Sequence, residues 1–210
     1  MTSLPVRDQT NDYLLTPENA ALIIIDYQPV QVSSIKSMDQ AELVRNIVNT
    51  ARVAKAYNLP IVLSTVNVKT GRNKETIPQL REVLAGVSSY DRTSINAWED
   101  AEFLNAVKET RRKKLLMTAL WTEACLSFPT LDALKEGYEV YPVVDAVGGT
   151  SVSAHETALR RMEQAGAQLT SWEQVLCELQ RDWNREQTVP YMVEIFIDAG
   201  VFPRSEAAEQ

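Results

Sequence analysis

Short apolar runs alternate along this chain with longer stretches in which apolar residues recur every three or four positions. The first pattern is that of a buried strand and the second that of a helix with one apolar face. Ala20 to Asp26 is apolar up to its closing carboxylate and predicts a strand covered on both faces. Ala41 to Tyr57 spaces Leu43, Val44, Ile47, Val48, Ala51 and Ala54 as a helix does, and Asn58-Leu59-Pro60 closes it. Ile61 to Val66 predicts a second strand, Ile77 to Leu84 a short helix begun near Pro78 and ended by Gly86, and Val87 to Asp91 a third strand. Glu99 to Thr110 is helical, with Phe103, Leu104 and Val107 on one face. Leu115 to Leu120 and Glu139 to Val144 predict strands four and five, separated by a helix from Thr122 to Lys135. A helix from Ser151 to Ala165, a sixth strand from Ala167 to Thr170 and a helix from Ser171 or Trp172 through Trp183 follow. Val189 to Ala199 reads as a shorter helical arm before a polar tail, Arg204 to Gln210, expected to be disordered.

Strand and helix in alternation predict an α/β fold: a three-layer α/β/α sandwich on a six-stranded, mostly parallel, Rossmann-like sheet. With 210 residues, 45% of them hydrophobic, the chain can bury one substantial core, so a single domain over 1–210 is expected, with 189–210 as a C-terminal arm and tail. The net charge of −7 and the scatter of the basic residues leave no footprint for nucleic acid or an anionic membrane. The one basic run, Arg111 to Lys114, reads as a solvated helix C-terminus. The N-terminus lacks the pattern of a signal peptide, and no apolar run approaches the roughly 20 residues that span a bilayer. A soluble, cytoplasmic protein is expected.

Open parallel sheets bind ligands beyond the carboxyl ends of their strands. Asp26, Asn67, Arg92, Cys125 and Asp145 stand at those ends in this reading, whereas Lys113 and Lys114 precede strand four and lie at the opposite edge. Asp26-Tyr27-Gln28-Pro29-Val30 contains no glycine, which removes the dinucleotide and Walker-type readings and any expectation of a cofactor. Gly148-Gly149 reads as a loop needing positive φ. The two cysteines form no CxxC pair, and the single histidine makes a metal site of ordinary composition improbable, so no metal is expected. An activated cysteine here needs a base other than histidine.

Cys125 opens the helix after the fourth strand, where unpaired N–H groups and the helix dipole favour a thiolate; as a lone cysteine it reads first as a small buried hydrophobe, and the polar residues at the other strand ends shift it toward a nucleophile. Cys177 lies on an apolar stripe with Val175, Leu176, Leu179 and Trp183, and reads as packing. Gln28 and Asn67 either orient substrate or satisfy loop backbone. Trp98 lines a pocket mouth or, with Ile95 at helical spacing, the core. His155, among Glu156, Arg160 and Arg161, reads as a surface or subunit-contact residue rather than a catalytic one. Asp145 reads as a loop or cap residue ahead of Ser151.

The segments Leu22 to Gln28, Ile95-Asn96-Ala97-Trp98, Thr122-Glu123-Ala124-Cys125 and Ala165-Gly166-Ala167 together resemble the isochorismatase-like cysteine hydrolase superfamily, in particular its YcaC-type subgroup. The resemblance runs from about Asp12 to Trp183. It implies an Asp-Lys-Cys triad whose aspartate falls on Asp26 and whose nucleophile falls on Cys125. The lysine position is a departure, because Arg92 stands there, as in YcaC-type members; arginine cannot relay protons but its charge can stabilise both neighbours. The resemblance also implies a cis peptide between Trp121 and Thr122, turning the Trp121 N–H inward to form an oxyanion hole with that of Cys125. Ala119 stands where the motif often has glycine. The implied chemistry is metal-independent hydrolysis of an amide or carbamoyl-type C–N bond in a small molecule, through a thioester. Asp26-Tyr27-Gln28 replaces the metal-binding motif of the nicotinamidase branch. Two alternatives stay open: vinyl-ether cleavage of the isochorismatase type, against which Cys125 argues, and a catalytically weak or non-enzymatic assembly role. Large homo-oligomers, such as an octamer, are also implied. The apolar arm with Tyr191, Met192, Ile195 and Phe196 serves either that assembly or packing within the chain.

Overall fold

The computed structural model describes residues 11–203. Its sheet holds β1 (Ala20–Ile25), β2 (Ile61–Val66), β3 (Ser89–Arg92), β4 (Lys114–Ala119) and β5 (Glu139–Pro142), all parallel, in the order β3-β2-β1-β4-β5. The helices are α1 (Pro29–Ser33), α2 (Gln40–Ala56), α3 (Pro78–Val83), α4 (Ala101–Glu109), α5 (Ser127–Lys135), α6 (Val152–Gln164), α7 (Trp172–Gln180) and α8 (Val189–Asp198). The chain leaves β1 toward β2 on one side and returns through β4 on the other, so the strand order reverses between β1 and β4. Parallel sheets open a crevice at such a reversal.

β1 is buried along its whole length, and its alternating side chains feed two cores. Leu22 and Ile24 pack with Leu43, Ile47 and Ala51 of α2 and with Trp172 and Leu176 of α7. Ala21, Ile23 and Ile25 face Phe103 and Val107 of α4, Leu126 and Met162. A two-residue period between two helix layers explains why this strand carries no polar residue before Asp26.

The sheet has five strands rather than six. Ala167 to Thr170 does lie along β5, with the Gln168 N–H on Val140 O at 2.9 Å, the Thr170 N–H on Pro142 O at 3.0 Å and the Val144 N–H on Thr170 O at 2.8 Å. Pro142 has no N–H to give to the segment between those bonds, and pairing reduces to a single bridge at Val143 and Thr170.

Four further expectations are corrected. Neither Gly148 nor Gly149 has positive φ; both are needed for close approach, since a Cβ on Gly148 would stand 2.7 Å from Ile35 Cγ2 and one on Gly149 2.7 Å from Glu123 Oε2. Lys114 is buried rather than solvated, its ammonium bonded to Tyr13 O at 3.1 Å and Tyr141 Oη at 3.2 Å and paired with Glu139. Cys177 is exposed and Trp183 is 62% exposed, while Val175, Leu176 and Leu179 of the same helix are buried. Asp145 helps cap α7, accepting from the Trp172 N–H at 3.1 Å beside that helix's own N-cap Ser171, while α6 is capped by Ser151. The C-terminal arm packs within the chain: Met192, Ile195 and Phe196 of α8 are buried, Phe196 meets the Trp172 ring at 6.0 Å, and Arg52 of α2 pairs with Glu194 and Asp198. The tail from Arg204 to Gln210 lies outside the described residues. Among the described residues no helix is long and apolar enough to cross a membrane.

Candidate active site

β1 and β2 each pass into an Asx residue with left-handed backbone, Asp26 at φ 64° and Asn67 at φ 63°. Aspartate and asparagine enter that region more readily than other residues with a side chain, because their short polar groups bond locally. The Asp26 N–H still donates to Ser64 O at 3.0 Å, so the turn stays tied to β2 while the carboxylate reaches Arg92, the last residue of β3. Arg92 grips both oxygens, Nη1 to Oδ1 at 2.7 Å and Nη2 to Oδ2 at 2.8 Å. Its remaining protons on those nitrogens go to Thr65 O at 3.2 Å and Ser64 Oγ at 3.3 Å on one side and Ile95 O at 3.1 Å on the other. The two side chains are 0% and 1% exposed. A planar fork matches a carboxylate in a way that a lysine ammonium does not, which gives the replacement at this position a geometric meaning.

Cys125 arrives from the other side of β1. The helix expected from Thr122 begins instead as one π turn, Thr122–Leu126, before α5. Such widened turns are frequent at functional sites because they re-aim one side chain. Cys125 is nearly covered, at 9% exposure, within the apolar cluster that contains Trp98, Ala119, Leu126 and Val147. Burial pushes the thiol up to about 12, and the Asp26 charge adds to that. The Arg92 charge opposes it, the hydrogen bond with Asp26 raises it further and the backbone N–H of Trp121 lowers it. The resting group is therefore a thiol, held neutral by burial and by the nearby Asp26 carboxylate. The expected thiolate is corrected, because desolvation and a carboxylate neighbour outweigh the helix terminus.

The cis peptide lies between Leu120 and Trp121, one bond earlier than expected. The N–H of that peptide belongs to Trp121 and lowers the Cys125 pKa. The Thr122 N–H is committed to Gly148 O at 2.9 Å. Trp121 is fixed from its ring as well, its Nε1–H donating to Ser34 Oγ at 2.6 Å.

Three residues expected at the substrate are placed differently from the catalytic group. Gln28 is fully buried, its amide donating to Val66 O at 3.1 Å and Lys74 O at 2.6 Å and accepting from the Val66 N–H at 3.0 Å. All three bonds hold the loop after β2, so its polar atoms are committed to backbone. Trp98 packs edge-on against Phe103 and Tyr138 and donates to Glu136 Oε1 at 2.9 Å; its ring is core, not a pocket mouth. The residue of that segment that meets solvent is Ile95, 64% exposed, whose carbonyl touches Arg92. Asn67 is half-buried on the same rim, its backbone N–H on Arg92 O at 2.8 Å and its Oδ1 accepting from the Thr70 hydroxyl at 3.1 Å.

His155 was legible only as part of a charged helix face, yet its Nδ1 lies 2.8 Å from Thr122 Oγ1, at the start of the cysteine turn. Its place in the first turn of the helix after β5, on the same rim, is the signal that could have found it. Among the described residues no group of three or more His, Cys, Asp and Glu side chains could hold a metal ion.

The isochorismatase domain family model matches residues 20–174. The probable hydrolase YcaC of Escherichia coli is 35% identical over 179 residues, covering 84% of this chain and 86% of that protein. Its crystal structure, described as an octameric hydrolase of unknown specificity, superposes with a TM-score of 0.79 at 32% identity, over 90% of this chain and 98% of that one. The Pseudomonas aeruginosa YcaC, solved with hexane-2,5-diol and covalent acrylamide, gives the same TM-score of 0.79 at 33% identity, over 90% of this chain and 98% of its own. With a parallel sheet of this order and an aspartate, an arginine and a cysteine meeting at its reversal, the chain belongs to the isochorismatase family of hydrolases and is of the YcaC type.

Proposed function

We propose that this protein is a metal-independent cysteine hydrolase that cleaves a C–N bond, of amide or carbamoyl type, in a small molecule. The observation that carries this reading is the Cys125 thiol set against the Asp26 carboxylate, which Arg92 holds by both oxygens. A thiol with a raised pKa needs a neighbouring base to attack at neutral pH, and Asp26, whose charge acts on the thiol, is that base.

Asp26 takes the thiol proton as sulfur bonds to the carbonyl carbon, and the carbonyl π electrons move onto oxygen. The N–H groups of Trp121 and Cys125 hold that oxyanion, at a strength of about 3 kcal/mol per donor in comparable sites. The oxyanion collapses, the C–N bond breaks, and Asp26 passes its proton to the departing nitrogen. Water then attacks the thioester, Asp26 takes a proton from it, the C–S bond breaks and the proton returns to sulfur. Arg92 keeps the carboxylate oriented between these transfers and relays no proton itself. Acrylamide, held covalently by the Pseudomonas aeruginosa relative, is a primary amide that alkylates thiols, which suits both halves of this reading. A homo-oligomeric state, as in the octameric relative, is part of the proposal, with a small-molecule substrate and a cytoplasmic setting.

A panel of small primary amides, carbamoyl compounds and hydroxamates tests the reaction class. At least one is expected to release ammonia or hydroxylamine with the wild-type protein and not with Cys125→Ala. Equal release by both proteins would end the cysteine mechanism.

A further inference from the structure

The turn that carries Cys125 is held from outside the strand it follows. Thr122 is fully buried, its N–H donates to Gly148 O at 2.9 Å and its hydroxyl meets His155 Nδ1 at 2.8 Å. Glu123, the next residue, accepts at Oε1 from the Thr150 N–H at 3.0 Å and from the Thr150 hydroxyl at 2.6 Å. Gly149 lies beneath both: a Cβ there would stand 2.7 Å from Glu123 Oε2 and 2.9 Å from His155 Cβ. The segment from Gly148 to the first turn of α6 therefore grips the cysteine turn at two successive residues. Of these contacts, the imidazole is the one made by a side chain to a side chain of the motif Thr122-Glu123-Ala124-Cys125 that is wholly removed from water.

We propose that His155 is a positioning residue that fixes the Thr122 hydroxyl and, through it, the turn that aims Cys125 at Asp26. A buried hydroxyl without a partner is unfavourable, so the Thr122–His155 bond favours this one arrangement of the turn. Burial lowers the imidazole pKa against the nearby charges of Glu123 and Glu156, which leaves a neutral ring able to accept the hydroxyl proton at neutral pH. His155 touches neither sulfur nor carboxylate in this assignment. The inference rests on the reading of Cys125 as nucleophile for its purpose, but its test does not.

The test uses the length of the replacing side chain. In asparagine the amide atoms are attached to Cγ, as Nδ1 is in histidine, whereas glutamine places its amide near the Nε2 position and fills more of the ring's volume. The full-length variants His155→Asn, His155→Gln and His155→Ala are alkylated with iodoacetamide across pH, and the Cys125 and Cys177 peptides are followed separately by mass spectrometry. Wild type and His155→Asn are expected to show Cys125 reactivity still rising beyond about pH 10, as a thiol raised to about 12 requires. In His155→Gln and His155→Ala the loosened turn lets the sulfur into water, and the profile levels near the free-thiol value of about 8.5. The exposed Cys177 gives the same profile in all four proteins. A profile for Cys125 that is the same in all four, or one kept by Gln and lost by Asn, overturns the inference. Amide turnover by wild type and Cys125→Ala separates the two ideas: equal turnover with the expected thiol profiles removes the nucleophile reading and leaves the positioning role standing.

Discussion

Asp26 and Arg92 form a pair sealed from water whose partners depend on one another. Arg92→Ala leaves a carboxylate in that position without its cation, and a loss of about 3–5 kcal/mol in unfolding free energy is expected, measurable by urea denaturation. Arg92→Lys keeps the charge but not the two-pronged grip, so it should fold and lose turnover. Asp26→Asn keeps the shape and removes the base; turnover of an amide found in the panel should fall by about a hundredfold or more, the usual scale of lost general-base catalysis. Asp26 was legible because it ends an apolar run, and Arg92 and Cys125 because each follows a strand in the sequence pattern, and parallel sheets gather such positions at one rim. The ionisation of the sulfur was not legible. It depends on burial in a cluster shared with Trp98 and Val147 and on the Asp26 charge, and neighbours so far apart in sequence leave no local pattern.

Periodicity located α2, expected over Ala41 to Tyr57 and observed as Gln40–Ala56; its start is set by Asp39, whose carboxylate accepts from the Glu42 N–H at 2.8 Å. The sixth strand failed on one residue, because a missing N–H at Pro142 matters only once the neighbour of β5 is known. Asp145 shows the same limit, since its role as cap is exerted on a helix 27 positions away. Its carboxyl is pushed up to about 7, first by burial and further by Glu173, against the Trp172 N–H that lowers it. The folded state then binds more protons than the unfolded chain between the ordinary carboxyl range and about 7, so stability declines as pH rises through that window. Asp145→Asn keeps an oxygen for the Trp172 N–H and cannot ionise. Its melting temperature should vary less with pH than that of wild type and exceed it above about pH 8. Gly149→Ala should cost about 1–3 kcal/mol, as overpacking does, because Glu123 and His155 occupy the space its methyl needs.

At the scale of the molecule, two apolar layers enclose one parallel sheet, and the second of them contains the sulfur of the candidate site. The C-terminal arm is part of the first layer, with Phe196 wedged between the rings of Trp172 and Phe202. Phe196→Ala should therefore destabilise the folded chain by about 3–5 kcal/mol in a denaturant titration; a change in mass in solution with stability unaltered would instead assign the arm to assembly. The choice between packing and docking was open in the sequence because an apolar helical stripe looks the same in both. Mass spectrometry of the protein quenched in acid during turnover of an amide substrate should find the acyl group on the Cys125 peptide. Turnover without any acyl-Cys125 species, or an acyl group found on Cys177 alone, would contradict it.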